Sequence, residues 1–465
     1  MPLDPEMPET GGYCRQTCPF LTINLLTHHT PEEHRLDRRA RRSSGHAGRS
    51  AVAVPLTIAG CAAAAAGTYL DILAAASFFA QPDQAKAVPS RRLVVLVPAH
   101  NEADLIGRCL ESLNAQSYPV HQFKTVVIAD NCSDRTAAIA ASLGAEVLVR
   151  TQPDNAGKGQ ALRWAMDQVL LGPEPPDAIV IVDADSLADP GLLTGLAWQL
   201  ESGASVVQGE YLALVEDDSP ASTLRAAGLL LFHRVRFSGR AVLGLPCNLV
   251  GNGMLLSRRV LEEIPWSAFT SAEDLEYSVD LRLAGVRPVY AGAARLQAPL
   301  PARGRPASVQ RLRWEGGRFH VVRTRLPKLL REIFVMRRWS LADAAVDLAV
   351  PPLGVLAVVA GAGTAVSVAL VLGGGPLWLA LPWIAASVSV PVFVLGGLAA
   401  VGAPAATYRS LALAPWYVTS SLFTRLRLLR GLGETTWERT ERPGDLRPAE
   451  PEVRYSNKGN GRSST

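Results

Sequence analysis

Two aspartates stand two residues apart after an apolar run in the middle of the chain. Asp183 and Asp185 follow residues 179–182, which read Ile-Val-Ile-Val. At the end of a buried strand, two carboxylates with this spacing can reach one hard cation, directly or through water, and that cation can clamp a diphosphate. The pair alone is weak evidence, because a carboxylate after a strand often only caps the next helix.

Three further polar groups follow the same logic. Residues 97–102 read Val-Pro-Ala-His-Asn-Glu, and residues 130–134 read Asp-Asn-Cys-Ser-Asp. Glu273 and Asp274 open a helical pattern that continues to residue 283. Helix capping explains any one of these carboxylates equally well. Together they indicate a site, because ligands of open α/β sheets bind beyond the carboxyl ends of the strands.

The elements that position these groups alternate along residues 91–300. Short runs rich in Val and Ile indicate strands, and helical patterns such as 103–115 and 159–171 lie between them. The predicted strands are 93–97, 126–129, 146–149, 178–182 and 206–209. Buried strands separated by helices predict an α/β domain whose mostly parallel sheet carries helices on both faces.

Long apolar blocks flank this middle region. Hydrophobic residues make up 48% of the 465 residues and charged residues only 19%, which is too apolar for a purely soluble protein. Residues 51–80 are almost wholly apolar, and about 20 such residues cross a bilayer as a helix. We predict a transmembrane helix there. A helix on the membrane surface is the alternative, because many of its residues are alanine.

Residues 344–424 are predicted to form C-terminal transmembrane or interfacial helices. The segments 344–372 and 377–401 are each long enough to span a bilayer, and Gly and Pro residues separate them. The segment 411–423 is shorter and contains Pro415, so it either spans or lies in the interface. The number of C-terminal spans is therefore two or three.

Polar, basic segments close both ends of the chain. Residues 1–50 are Arg-rich and unpatterned, which predicts a disordered leader, and residues 425–465 form a basic polar tail. The net charge is only +4, and Arg clusters beside the apolar blocks indicate anionic lipid headgroups rather than nucleic acid, for which no binding module is found. The six cysteines indicate reduced thiols. No second pair or nearby His spacing supports a metal site at Cys14 and Cys18.

Six motifs stand in a fixed order along the chain. They are the groups at 97–102, 130–134, 183–185 and 273–274, with Gly-Asn-Gly-Met at 251–254 and Gln-Arg-Leu-Arg-Trp at 310–314. In this order they resemble the family 2 glycosyltransferases, in the membrane-bound branch that includes cellulose, hyaluronan and poly-N-acetylglucosamine synthases. The resemblance covers residues 91–314, and the flanking membrane helices and Thr-Trp-Glu-Arg-Thr at 436–440 also fit.

The resemblance implies a GT-A-like catalytic domain at 91–335 and assigns roles to its motif residues. Asp274, beside Glu273, would be the catalytic general base, and Arg313 would neutralise charge on the leaving diphosphate. The metal, Mg²⁺ or Mn²⁺, would be held by Asp185 with help from Asp183. The remaining residues would be Pro98, Glu102, Asp130, Lys158 and Asp183 on the nucleotide-sugar side, and Gln310 and Trp314 on the acceptor side.

Some of these residues have simpler explanations, and the chain departs from the family pattern in places. Lys158 could be a solvated loop lysine, and residues 310–314 could belong to an amphipathic helix on the membrane. Asn131 stands where the family often has a second aspartate, and Ala272 precedes Glu-Asp where Thr or Glu is usual. Residues 299–306 insert a Pro/Arg-rich stretch before the last motif.

The expected function is inverting, metal-dependent transfer from a nucleotide sugar, with UDP-sugars as expected donors, to a polysaccharide or lipid-linked acceptor. The chain is expected in a bacterial-type inner or plasma membrane, with its catalytic domain in the cytosol, where nucleotide sugars are made. The alternative is a non-catalytic nucleotide-sugar-binding subunit. A transporter or channel is disfavoured because the charged motifs lie outside the spans. Few C-terminal helices suggest an export partner or a homo-oligomer if the product is a polymer.

Overall fold

The computed structural model describes residues 31–81, 90–215, 219–299 and 305–419, and it describes their side chains except at 31–52 and 305–313. The chain divides into two compact units, Met1–Pro55 and Leu56–Thr465. Most of the predicted leader, the predicted basic tail, Cys14, Cys18 and residues 300–304 lie outside the described residues.

An eight-stranded sheet lies within the second unit. Its strands are β1 (Leu93–Ala99), β2 (Phe123–Asp130), β3 (Glu146–Arg150), β4 (Ala178–Ile181), β5 (Leu187–Ala188), β6 (Val206–Leu214), β7 (Met254–Ser257) and β8 (Val289–Pro299). Their order across the sheet is β3-β2-β1-β4-β7-β6-β8-β5. The pairs β3–β2, β2–β1, β1–β4 and β6–β8 are parallel, whereas β7 is antiparallel to β4 and β6, and β5 to β8. The predicted α/β class with a mostly parallel sheet is confirmed.

Three strands, β5, β7 and β8, were not predicted from the sequence. β5 has two residues and β7 only four, which is too short for a periodicity to show. β8 is long, but four of its residues are alanine and one is glycine, which have little intrinsic preference for strands. Their places in the sheet depend on pairing, of β7 with β4 and β6, of β8 with β6 and of β5 with β8, and local sequence does not carry that information.

Helices cover the sheet and continue into the apolar segments. They are α1 (Pro31–Ser77), α2 (Ile106–Asn114), α3 (Thr136–Ser142), α4 (Lys158–Leu170), α5 (Leu192–Glu201), α6 (Pro220–Leu230), α7 (Arg236–Val242), α8 (Arg258–Glu263), α9 (Glu273–Leu283), α10 (Arg305–Phe334), α11 (Ala342–Ala349), α12 (Leu353–Leu372), α13 (Leu381–Ala400) and α14 (Ala405–Ser410). A π-helical turn, Leu231–Val235, joins α6 to α7. α1 begins at Pro31, so the structure places helix in residues 31–50, where the sequence predicts a disordered leader. Residues 31–42 are rich in Arg and contain two Glu, and both residue types favour helix without needing an apolar stripe.

Alternate side chains of the central strands enter two separate cores. Val95 and Val97 of β1 pack in the cluster that contains α2 and α5, whereas Val94 and Leu96 pack in the cluster that contains α4, α8 and α9. Fully burying one such aliphatic side chain stabilises the fold by about 1.5–3 kcal/mol. Burial on both faces fixes the strands, and the polar loops that follow them are therefore held in place.

Three helices of the described chain are long and apolar enough to cross a membrane. They are Ala53–Ser77, Leu353–Leu372 and Leu377–Ala400. The segment 344–372, predicted as one helix, is two: α11 ends at Ala349, and Pro351 and Pro352 separate it from α12. Proline lacks the N–H that an α-helix needs and disfavours helix in the residue before it. The candidate span therefore begins at Leu353.

The apolar helices pack with one another and with part of the sheet domain. Trp383 of α13 donates its indole N–H to the carbonyl of Leu56 in α1 at 3.1 Å. Leu231 and Val235, in the helical segment between β6 and β7, share a buried cluster with Phe393 of α13. This segment, α6 to α7, therefore joins the sheet domain to the apolar helices. Residues 411–419 belong to no candidate span, and 420–423 lie outside the described residues.

Candidate active site

Two asparagines link the loops that follow β1, β2 and β3. Asn101 and Asn131 have φ angles of 55° and 51°, in the left-handed region that Asn tolerates better than most residues. Asn101 Oδ1 accepts a hydrogen bond from Ser133 N at 2.8 Å, and Asn131 Oδ1 accepts one from Gln152 N at 2.7 Å. The asparagine that replaces a family aspartate at 131 thus shapes the turn and links it to the loop after β3.

Asp130, predicted on the nucleotide side, is buried against an arginine that sequence reasoning missed. Arg150 Nη1 lies 2.5 Å from Asp130 Oδ1, and both side chains are almost fully buried. The same guanidinium donates to the carbonyl of Asn155 at 2.7 Å. Arg150 directly follows the predicted strand 146–149, and this position was its only signal. It ties the Asp130 loop to the loop that leads to Lys158.

Pro98 and Glu102 lie at the same edge of the sheet. Pro98 is near the end of β1, opposite Ile128 of β2. The backbone N–H of Glu102 donates to Thr136 Oγ1 at 2.8 Å, which anchors the loop to the start of α3. Both residues are partly buried. Their contact with a nucleotide remains a prediction.

Lys158 lies at the centre of the site rather than in a solvated loop. Its ammonium group is 2.5 Å from Asp183 Oδ1 and 3.9 Å from Glu273 Oε1, and it donates to the carbonyl of Gly251 at 2.7 Å. Burial acts to lower the pKa of Lys158, but Asp183 and Glu273 raise it, and the net shift is upward. A charged lysine therefore connects three motifs that are far apart in sequence.

Asp274 lies in the first turn of α9, against the glycine motif. Burial, and then the charge of Glu273, raise the pKa of Asp274 to about 7. One of its oxygens accepts from the backbone N–H of Leu275 at 2.7 Å. Gly251 has a φ of 76°, and a Cβ there would lie 3.3 Å from Asp274 Oδ2 and 3.4 Å from Lys158 Nζ. Glycine at this position lets the two charged groups approach the backbone closely.

The glycine motif is held by two amides: Asn252, which belongs to the motif, and Gln208, which the sequence did not single out. Gln208 of β6 donates to the carbonyl of Asn252 at 2.8 Å and accepts from Val250 N at 2.9 Å. Asn252 accepts from the backbone N–H of Asp183 at 3.1 Å and donates to Ser186 Oγ at 2.8 Å. These bonds fix the motif at 251–254 beside the Asp183–Asp185 loop. Nothing in the local sequence marks Gln208, since its partners are set by strand pairing.

Tyr211 is a second residue that sequence reasoning missed. It lies on β6 and stacks near His233 of the π-helical turn, with ring centroids 5.1 Å apart. Burial, and then the charges of Asp185 and Asp183, raise the pKa of Tyr211. The phenol therefore remains neutral, and its aromatic ring lies near the two aspartates.

The predicted acceptor motif lies on α10, next to the start of α9. Trp314 is 46% exposed, so its ring is available to a ligand. A Cβ on Gly317 would lie 2.6 Å from Ser271 Oγ and 2.9 Å from Ala272 N, which shows that α10 runs against the residues preceding Glu273 and Asp274. Gln310 and Arg313 belong to the same helix, but their side chains lie outside the described residues.

Asp183 and Asp185 supply the oxygen donors of the site. Both are partly buried after β4, and Ser186 Oγ donates to Asp185 Oδ1 at 3.4 Å. Within the described ranges, no group of three or more His, Cys, Asp or Glu side chains is arranged to hold a metal ion. The protein can therefore offer two carboxylates to a hard cation, and a bound ligand would have to complete its coordination.

Comparison with known proteins gives consistent matches to one group. Residues 89–317 match the family described as "Glycosyltransferase like family 2". The chain is 26% identical over 256 residues to the probable glycosyltransferase YdaM of Bacillus subtilis, covering 53% of this chain and 59% of that protein. It is 26% identical over 205 residues to a beta-monoglucosyldiacylglycerol synthase of Synechocystis sp., covering 43% of this chain and 42% of that protein. The chain thus spans about half the length of these curated relatives.

A solved structure with a similar arrangement is a mannosyltransferase, PcManGT, from Pyrobaculum calidifontis in complex with GDP-Man and Mn²⁺. Its TM-score is 0.45 at 18% sequence identity, and the match covers 74% of this chain and 99% of that one.

Proposed function

We propose that this chain transfers a sugar from a nucleotide-sugar donor to an acceptor hydroxyl at a membrane, because residues 89–317 match the family described as "Glycosyltransferase like family 2". The observation that carries the proposal is the group of Asp274, Glu273, Lys158 and Asp183 around Gly251. In this group Lys158 lies 2.5 Å from Asp183 Oδ1, and both Lys158 and Asp274 lie close to Gly251, which supports a base beside a fixed positive charge.

Asp274 is the general base. A carboxyl group with a pKa of about 7 is half ionised near neutral pH, so much of it is in the form that accepts a proton. Because its pKa is higher, it is also a stronger base than an exposed aspartate. It removes the proton from the acceptor hydroxyl as the oxygen attacks the anomeric carbon. The sugar–phosphate bond breaks on the opposite face, and the scheme needs no second nucleophile. The configuration at the anomeric carbon is therefore inverted.

The donor set of Asp183 and Asp185 fits a hard divalent cation, Mg²⁺ or Mn²⁺, shared with a diphosphate. Two carboxylates are too few to enclose such an ion, and diphosphate oxygens and water are the ligands that it prefers for its remaining positions. When bound, the ion neutralises charge on the leaving diphosphate. Lys158 lies 2.5 Å from Asp183 Oδ1, and we assign Asp185 as the principal ligand of the cation.

Lys158 and Arg313 provide positive charge from the protein itself. Lys158 remains protonated among the carboxylates, because its pKa is raised. A fixed ammonium group in a site of low polarity stabilises a developing negative charge without reorganising. We assign Arg313 the same role on the side of α10. UDP-sugars are the proposed donors.

The proposed acceptor is a membrane lipid. The helical segment α6–α7, which follows the strand bearing Tyr211, packs on the apolar helices α1 and α13. This packing, with three helices that are long and apolar enough to span a bilayer, supports an acceptor drawn from the membrane. One relative carries the name of a synthase that makes a glucosyl diacylglycerol. A diacylglycerol hydroxyl at the bilayer surface would suit Asp274, and a growing polysaccharide is the other acceptor to test.

The test is nucleotide release by membranes that contain the full chain. A panel of UDP- and GDP-sugars is supplied with diacylglycerol, with and without Mg²⁺ or Mn²⁺. We expect metal-dependent release of nucleoside diphosphate from one donor, and we expect Asp185→Asn to weaken the metal dependence and the rate. Metal-dependent nucleotide binding without turnover of any donor would instead favour the non-catalytic subunit.

A further inference from the structure

Residue 317 of α10 is in direct contact with the start of the base helix. A Cβ on Gly317 would overlap Ser271 Oγ and the backbone of Ala272, at 2.6 and 2.9 Å. Ala272 is the residue before Glu273 and Asp274, which begin α9. The backbone of α10 is therefore seated against the turn that carries the proposed base.

The next residue, Arg318, binds the end of α11, the second helix that α10 contacts. Its guanidinium donates to the carbonyls of Leu348 and Val350 at 2.9 and 2.7 Å. These carbonyls end α11, where the last turn of a helix has acceptors without partners inside the helix. A cation at the carboxyl end of a helix also interacts favourably with the helix dipole. Pro351 and Pro352 follow at once, so Arg318 holds α10 at the entrance to the candidate span α12.

α11 is itself fixed to the catalytic domain by a buried ionic group that we call the α11 charge cluster. It comprises Asp343 and Asp347 of α11 with Arg236, Arg240 and Arg282. Their N···O distances are 2.5 to 3.1 Å, and Arg240 is completely buried. Burial acts to raise the pKa of Asp347, but Arg236 and Arg240 hold it well below its usual range. Asp347 therefore stays ionised at ordinary pH values.

The α11 charge cluster reaches the base helix as well. Arg282 lies in the last turns of α9, the helix that begins with Asp274, and it contacts Asp343 at 2.8 Å. Asn248, three residues before Gly251, donates to Asp347 at 2.6 Å. Helices α9 and α10 and the segment before the glycine motif are thus all bound to one short helix, α11. Breaking a buried ion pair of this kind is costly, so α11 is a firm anchor.

We propose that Arg318 is a positioning residue for the acceptor: by fixing α10 to α11, it holds Trp314, one helical turn upstream, at a set distance from Asp274. The proposal rests on the proposed transferase function. It also explains why a basic residue one turn after the Gln-Arg-Leu-Arg-Trp motif contacts only backbone carbonyls among the described atoms. The charge binds no substrate, and its effect reaches the reaction through Trp314.

The first experiment compares Arg318→Gln with Arg323→Gln in the full chain, reconstituted with dioleoylglycerol as acceptor. Arg323 is exposed on the same helix, so its substitution removes the same charge without freeing α10. We expect Arg318→Gln to raise KM for dioleoylglycerol by roughly tenfold to hundredfold with little change in donor KM, because small displacements of a positioning group have effects of that size. Arg318→Lys should recover part of the loss. A purely structural role would lower kcat with the folded fraction and leave KM unchanged, and that result would overturn the proposal.

A second measurement does not depend on turnover. Hydrogen–deuterium exchange of residues 306–317 should be faster in Arg318→Gln than in wild type or Arg323→Gln, with residues 275–283 unaffected. Unchanged exchange would overturn the proposal, and so would faster exchange combined with an unchanged acceptor KM. If wild type transfers no sugar at all, the proposed function fails, while the exchange data still decide whether Arg318 holds α10.

Discussion

Asp274 is a carboxyl group placed where it is poorly solvated and beside a second carboxylate. Both conditions penalise its charged form, and its pKa rises to about 7. Lys158 and the N–H of Leu275 act in the opposite direction but do not cancel the shift. The residue is therefore poised to exchange a proton near neutral pH, as a general base must be.

The rate of transfer should follow the ionisation of Asp274. Only the carboxylate form can accept the acceptor proton, so kcat/KM should rise about tenfold per pH unit below pH 7 and level off above it. The measurement is an initial-rate profile from pH 5 to pH 9 at saturating metal. A rate that is flat across pH 6 to 8 would exclude Asp274 as the titrating base.

Removing the charge of Asp274 should also stabilise the fold. A pKa raised in the folded state means that the ionised group opposes folding, and this penalty grows from about pH 4 to about pH 7. At pH 8, Asp274→Asn should therefore have a higher unfolding temperature than wild type, and its free energy of unfolding should be larger by up to about 4 kcal/mol. At pH 4 the two proteins should unfold at the same temperature. Thermal unfolding in detergent at both pH values measures this. Lower stability of the variant at pH 8 would contradict the buried-charge account.

Among the site residues, sequence alone found those that are chemically conspicuous. Asp183 and Asp185 stand out because they follow an apolar run, and Asp274 stands out because Glu-Asp has a fixed place in the order of motifs. Arg150, Gln208 and Tyr211 were missed because each owes its place to a partner on another strand. Register and pairing decide those contacts, and they are not written in any local pattern.

At the scale of elements, proline and small residues set the arrangement of the apolar helices. Pro351 and Pro352 divide a segment that composition alone predicts as one span, and the part before them carries Asp343 and Asp347 into a buried ionic cluster. Hydropathy found the first and third long apolar helices within a few residues, but it began the second at 344 rather than at Leu353. It did not find the helical segment α6–α7, whose role as a contact to those helices depends on the tertiary fold.

The packing of α1 on α13 gives a test at this scale. A Cβ on Gly67 would lie 2.6 Å from Ser389 Oγ, whereas the same atom on Gly361 of α12 would meet nothing within 4 Å. Gly67→Leu should therefore separate the helices and lower the thermal stability of the detergent-solubilised chain, and Gly361→Leu should not. Overpacking of this kind typically costs about 1–3 kcal/mol. Equal stability of the two variants would show that the helices do not rely on this contact.

At the scale of the whole molecule, an α/β domain is joined to apolar helices within the described residues. The link runs through α6–α7, through Arg318 and through the α11 charge cluster. The order of motifs predicted the fold class and the reaction type. The way in which the domain meets the apolar helices could not be predicted, because it depends on contacts between residues hundreds of positions apart, such as Tyr69 with Asp347.

The central claim is that Asp274 activates an acceptor hydroxyl for sugar transfer. The most direct measurement is single-turnover transfer from the donor selected by the panel to dioleoylglycerol, with wild type and Asp274→Asn reconstituted side by side. Nucleotide binding to both proteins serves as the control for folding. We predict a glycolipid of inverted anomeric configuration from wild type, and a rate at least about 100-fold lower in the variant with nucleotide affinity retained. Transfer by Asp274→Asn at the wild-type rate would contradict the account.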